Sequence, residues 1–165
     1  MAAKKIAILG GGNLGVAIAK GIANSGQAQA SDIIITRRNL SKITALKREK
    51  FVLSSDNVAA VKASAVVLLC VQPKQLAGLL EEISSALSGK KHILVSTITG
   101  ITTEEISGHL NKQVPIVRAM PNTAIAIGAS MTCICSKDTS DKQLREIENL
   151  FKALGQTLII EEHLM

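Results

Sequence analysis

The stretch Lys5-Ile6-Ala7-Ile8-Leu9-Gly10-Gly11-Gly12-Asn13-Leu14-Gly15-Val16-Ala17-Ile18-Ala19 decides the fold. Residues 5–9 read as a strand, and Val16 to Ala19 begin the apolar face of a helix. Between them Gly10, Gly12 and Gly15 stand at G-x-G-x-x-G spacing, in the strand-to-helix context that gives this pattern its meaning. Gly10 permits the tight turn, Gly12 lets backbone amides approach a pyrophosphate, and Gly15 lets the helix pack closely on the strand. The unpaired amides and the dipole of the helix start then offer an anion site.

Outward from that turn, short apolar runs alternate with longer segments of helical periodicity. The runs at 6–9, 33–36, 51–53, 66–71, 93–96, 114–118, 131–135 and 158–160 read as strands. Helical patterns occupy 14–24, 42–49, 58–63, 74–87, 103–110 and 142–154. This β-α-β alternation predicts an α/β fold: a Rossmann-type, doubly wound, mostly parallel sheet with helices on both faces. Such folds bind ligands where the strands end, along one edge of the sheet. Asn39 or Ser41, Asp56 or Asn57, and the box Thr102-Thr103-Glu104-Glu105 are candidate helix caps, and Gly155 is a stop signal.

With 165 residues the chain is long enough for one domain with one substantial core. Hydrophobic residues make up 47% of it, yet only Phe51 and Phe151 are aromatic. A core of Ile, Val, Leu and Ala suits buried parallel strands, and it leaves no stacking platform for single-stranded nucleic acid. The formal charge of +6 favours anionic partners without identifying one. Cys70, Cys133 and Cys135 are odd in number and lie in or beside apolar runs, with no His at ligand spacing. They read as reduced thiols, and no metal site is expected. Met1 to Lys5 shows no signal-peptide pattern and no segment is long enough to span a bilayer, so the cytoplasm is the expected compartment.

NAD-binding versions of the glycine turn carry an acid after the second strand, about 20 residues on, to hold the ribose 2′-hydroxyl. Here Thr36-Arg37-Arg38-Asn39 stands in that position, with Ser41 and Lys42 close behind. Two guanidiniums and a hydroxyl suit a 2′-phosphate, which favours NADP(H) over NAD(H). The competing interpretation is a solvated basic loop.

The other strand ends carry small polar groups: Cys70-Val71-Gln72-Pro73-Lys74-Gln75, Ser96-Thr97-Ile98-Thr99-Gly100 and Arg118-Ala119-Met120-Pro121-Asn122-Thr123. None makes an acid–base pair, and His92, His109 and His163 read as structural or solvated. No catalytic side chain is assigned. Hydride transfer fits that lack, because the cofactor carries the chemistry.

Residues 6–15, Asp56-Asn57, Val71-Gln72-Pro73-Lys74-Gln75, and Val117 to Thr123 with Gly128 and Met131-Thr132 together resemble pyrroline-5-carboxylate reductase over essentially the whole chain. The Arg118-to-Thr123 segment is the most diagnostic part. The resemblance implies reduction of the imine of 1-pyrroline-5-carboxylate to L-proline, the last step of proline synthesis. By position it implies that Gly10, Gly12, Asn13, Leu14 and Gly15 hold the pyrophosphate and Thr36, Arg37 and Arg38 the 2′-phosphate. Asn57 would lie near the adenine ribose, and Val71, Gln72, Pro73 and Lys74 would line the cofactor cleft. Met120, Pro121, Asn122 and Thr123 would flank the nicotinamide and a small-molecule substrate. Bland roles stay open: Pro121 as a turn former, Met120 as core, Asn57 as a cap.

The sequence departs from the family in carrying its lysine at Lys74, two residues along from the usual place, and Ala124 where a proline is usual. Family members continue into a helical domain that forms the dimer and completes the substrate site. The expectation is therefore an NADP(H)-binding domain over 1–160, with 161–165 beginning a linker to that dimerisation domain; a frayed tail is the alternative. Such a piece is expected to bind NADPH but turn over poorly. Other NADP-dependent reductases, of the F420-dependent or ketopantoate type, and a non-catalytic NADP(H)-sensing protein are the competing expectations.

Overall fold

A computed structural model describes residues 4–165. The first three residues of the Met1-to-Lys5 segment lie outside the described residues. The strands are β1 (Ile6–Leu9), β2 (Ile33–Thr36), β3 (Val52–Ser54), β4 (Val66–Leu69), β5 (Ile93–Ser96), β6 (Ile116–Pro121), β7 (Ser130–Lys137) and β8 (Gly155–Ile159). The helices are α1 (Asn13–Asn24), α2 (Asn57–Ala63), α3 (Leu76–Ile83), α4 (Thr103–Gly108) and α5 (Asp141–Lys152).

All eight strands form one sheet in the order β3-β2-β1-β4-β5-β6-β7-β8. Every neighbouring pair is parallel except β6 and β7, which run antiparallel with Met120 opposite Cys133. The order reverses between β1 and β4, and a crevice opens at such a switch point because the connections leave to opposite sides.

Alternation along the strands splits the core into two layers. Ile6 and Ile8 of β1 belong to one cluster with Ile18 and Ile22 of α1 and Ile147, Phe151 and Leu154 at α5. Ala7 and Leu9 belong to the other, with Val61 of α2, Leu80 and Ile83 of α3 and Ile106 of α4. The central strands are covered on both sides, which is why β1, β2, β4 and β5 read as unbroken apolar runs.

Two expected helices differ. Residues 42–49 form two 3-10 turns, Leu40–Lys42 and Thr44–Lys47. Asn39, rather than Ser41, starts them, its Oδ1 accepting the Ser41 N–H at 3.0 Å. Ile43 and Leu46, both buried, are three apart, a spacing that a 3-10 turn satisfies as well as an α-helix. Within 74–87, a 3-10 turn at Pro73–Gln75 leads into α3, which ends at Ile83. Lys112 donates to the carbonyls of Ser85 and Leu87 beyond that end, at 3.2 and 2.9 Å. Gly155 does follow the last helix, but its φ of +143° and the Ser130 backbone lying against its Cα make it the start of β8.

His92 is buried beneath β5, with Nδ1 accepting the Ser88 N–H at 2.9 Å and Nε2 at 3.1 Å from the Val61 carbonyl. Burial outweighs that carbonyl bond and holds its pKa below the ordinary value, so it serves as a neutral strut. Of the final residues, Glu162 is held by side chains of the sheet and of α4. Glu162 accepts from Thr103 N–H and Oγ1, both at 2.7 Å, and from Arg118 Nη1 at 2.9 Å. Arg118 is 4% exposed, so this carboxylate neutralises a buried guanidinium. Burial pushes the Glu162 pKa up, but the Thr103 and Arg118 bonds more than offset it and hold it below the usual carboxylate range.

Candidate cofactor site

The carboxyl ends of β1, β2 and β4 enclose a cleft of about 750 Å³. Its floor is the glycine turn. Gly10 has φ +116°, and a Cβ there would fall on the Cys70 carbonyl, so β1 and β4 can approach this closely only with glycine between them. A Cβ on Gly15 would meet the Gly10 carbonyl and Ile8, which would lift α1 off the sheet. Gly12 has nothing within 4 Å of its missing side chain and faces open space.

The helix starts differ in a way that bears on ligands. Asp56 caps α2 through Ala59 N–H, Thr102 caps α4 through Glu105 N–H, and Ser140 caps α5 through Gln143 N–H. At α1 the N-cap is Gly12, with no side-chain bond and no acid in the first turn. The helix start at Gly12 therefore borders the cleft without a competing side chain, which is the arrangement an anion needs.

The β2 end forms the second wall. Thr36 is buried, and its carbonyl accepts from Gly11 N–H at 2.7 Å, locking the glycine turn to β2. Arg37 donates from Nη1 to the Gly11 carbonyl at 2.6 Å, which fixes its guanidinium beside the turn, while Arg38 is exposed. With Lys42 and Lys74 these give the cleft four cations.

Asn57 and Asp56 divide the roles left open between them: Asp56 caps α2, and Asn57 turns into the cleft. Its Oδ1 accepts from Thr36 Oγ1 at 2.6 Å, and its amide donates to Glu82 at 3.0 and 3.2 Å. Cys70 also borders the cleft; burial raises its pKa to about 11, against a hydrogen bond from Thr97, so it stays a thiol near neutrality.

Of the candidate residues, Gly10, Gly12, Thr36, Arg37, Arg38, Asn57, Val71, Gln72 and Lys74 line this one cleft. Asn13, Leu14, Gly15 and Pro73 lie in the adjoining turns without lining it. Met120 and Pro121 end β6 farther along the same edge. Asn122 caps the 3-10 turn Thr123–Ile127, accepting the Ala124 N–H at 3.1 Å, while its own N–H donates to Ser130 Oγ at 3.3 Å. Three lining residues carry no signal from spacing, Gly11, Leu79 and Glu82. Gly11 sits at an unconstrained motif position, and Glu82 is one acid on a helix read only for its apolar face. Among the described residues no cluster of three potential ligands could hold a metal ion, and no helix is long and apolar enough to cross a membrane.

A family model described as NADP oxidoreductase coenzyme F420-dependent matches residues 5–100. Pyrroline-5-carboxylate reductase 2 of Dictyostelium discoideum is 43% identical over 178 residues, covering 98% of this chain and 59% of that protein. A solved pyrroline-5-carboxylate reductase from Coxiella burnetii superposes with a TM-score of 0.91 at 29% identity, over 97% of this chain and 60% of that one. Plasmodium falciparum pyrroline carboxylate reductase, solved with NADP bound, shares the fold with a TM-score of 0.87 at 22% identity, over 98% of this chain and 59% of that one. The chain thus spans about three fifths of each of these relatives. With a matched segment that runs from β1 through the glycine turn to the end of β5 and takes in the whole cleft, the chain belongs to the NADP oxidoreductase coenzyme F420-dependent family.

Proposed function

We propose that this chain is the NADP(H)-binding domain of a reductase that converts 1-pyrroline-5-carboxylate to L-proline. The observation that carries the cofactor is the pairing of an uncapped α1 start with Arg37 and Arg38 along one cleft. The 43% identity to a pyrroline-5-carboxylate reductase supports the reaction. The solved relative with NADP bound has the same fold.

The cradle fits such a cofactor, because Gly12 leaves open room at an electropositive helix start. When bound, NADPH supplies the hydride that reduces the imine carbon. The amides of α1, with Gly10, Gly12, Asn13, Leu14 and Gly15 shaping the turn, hold the pyrophosphate. Arg37 and Arg38 take the 2′-phosphate, where a bidentate guanidinium discriminates against NADH, and Thr36, whose hydroxyl proton goes to Asn57, holds the β2 end beneath them. Val71, Gln72, Pro73 and Lys74 close the cleft wall. Met120, Pro121, Asn122 and Thr123 present the reacting carbon, with the Asn122 side chain and N–H bonds holding that loop in place. The imine nitrogen takes its proton from solvent or binds already protonated.

In this reading residues 161–165 lead to a helical domain that pairs two copies and completes the substrate site, and the protein works in proline synthesis in the cytoplasm. The test is a titration with NADPH and with NADH, repeated on Arg37→Ala and Arg38→Ala. A preference for NADPH that shrinks in both variants is expected, by about tenfold for each lost charge-assisted contact. Equal affinities in the parent would overturn the 2′-phosphate assignment. Full-length protein that fails to oxidise NADPH in the presence of 1-pyrroline-5-carboxylate would overturn the reaction.

A further inference from the structure

The cleft that holds four cations is also lined by one carboxylate, Glu82. An acid in a site for a polyanion marks the part of the cleft where phosphates do not lie. Glu82 is on α3, three residues beyond Leu79, so the two share a helix face, and both line the cleft. Leu79 is buried beneath the cleft wall, and Glu82, which is exposed, is the group of this face that a ligand meets.

The position of the carboxylate is set by a chain of hydrogen bonds. Thr36 Oγ1 donates to Asn57 Oδ1 at 2.6 Å, which fixes which end of the amide faces α3. Asn57 Nδ2 then donates to Glu82 Oε1 and Oε2 at 3.2 and 3.0 Å. A carboxylate offers about four lone-pair sites and donates nothing, so Glu82 keeps acceptor capacity toward the cleft.

The direction of a bound dinucleotide follows. With its pyrophosphate on the α1 amides and its 2′-phosphate at Arg37 and Arg38, the base extends past the ribose toward α2 and α3. We propose that Glu82 reads the base: its carboxylate accepts a hydrogen bond from the exocyclic 6-amino group of the adenine ring. This rests on the NADP(H) reading above. An amino group is welcomed there and an oxo group repelled, because two acceptors would face each other; the proton of the oxo form sits on the ring nitrogen N1, beside that position rather than in it.

The experiment is a binding titration of the parent protein and Glu82→Gln with two ligands. One is NADPH; the other is reduced nicotinamide hypoxanthine dinucleotide phosphate, which carries an oxo group in place of the 6-amino group and a proton on the ring nitrogen N1. The parent is expected to bind NADPH about tenfold more tightly, as suits one charge-assisted hydrogen bond. Glu82→Gln can donate to the oxo group, so it is expected to weaken NADPH, strengthen the hypoxanthine form, and bring the two within about twofold. Glu82 is exposed, and an unchanged circular dichroism spectrum and melting temperature would confirm that the variant folds. Equal or reversed affinities in the parent, or a ratio that Glu82→Gln leaves unchanged, would overturn the assignment and leave the cofactor reading standing. A parent that binds neither dinucleotide would overturn both.

Discussion

β1 and β8 belong to the same sheet but are held in it by different means. All four residues of β1 are buried, whereas no residue of β8 is, and Leu158 and Ile159 are 55% and 48% exposed. β1 lies between two helical layers, so its stability comes from apolar area removed from water on both faces. β8 meets α5 on one side, and Thr157 bonds Glu148 there at 3.1 Å. The opposite side, where Cys133 stands in register with Leu158, carries exposed Met131 as well. The chain beyond β8 is secured by polar anchorage, through Glu162 to Thr103 and Arg118. The half of the sheet that carries the cleft is thus the half most completely buried, and a site that must hold backbone amides in place gains its rigidity from that.

The contrast is broken or sharpened by substitution. Ile8→Ala removes a fully buried side chain from between the layers, and the denaturation midpoint should fall by the equivalent of about 4 kcal/mol. Glu162→Gln should cost less, about 2 kcal/mol at neutral pH, by weakening a charge-assisted bond to a buried guanidinium. Its pH profile carries the sign. The folded-state pKa of Glu162 is depressed, so its contribution is fully present above the ordinary carboxylate pKa and lost as pH falls below it through the lowered folded-state value. The variant should therefore lose stability less steeply than the parent on acidification below the ordinary carboxylate pKa of about 4.3, followed by urea unfolding. Leu158→Ser should shift the midpoint by less than about 0.5 kcal/mol. A Leu158 effect as large as that of Ile8 would show that the outer face of β8 is covered in solution.

The same contrast explains what the sequence disclosed. Strands buried on both faces are unbroken apolar runs, so the runs of β1, β2, β4 and β5 end within two residues of the observed strands. The glycine turn was legible because its backbone tolerates no other residue at Gly10 and Gly15. The 3-10 turns at 40–47 were not, since two buried residues three apart fit either helix type. The antiparallel course of β7 was hidden because strand direction depends on the length of the connection, here the short segment from Asn122 to Ala129, more than on composition. Within the site, the arginines at the β2 end stood out by position. Glu82 did not, because its meaning depends on Asn57, which lies 25 residues away in sequence.

The Glu162 anchor also has a mechanical consequence. β8 is an edge strand, and a tether pulling directly on its end would peel it from β7 one hydrogen bond at a time. Because Glu162 grips the start of α4 and a side chain of β6, tension from residues beyond it enters two strands inward, where many bonds must break together. Whatever draws on this end of the chain pulls on the body of the sheet rather than on its hem.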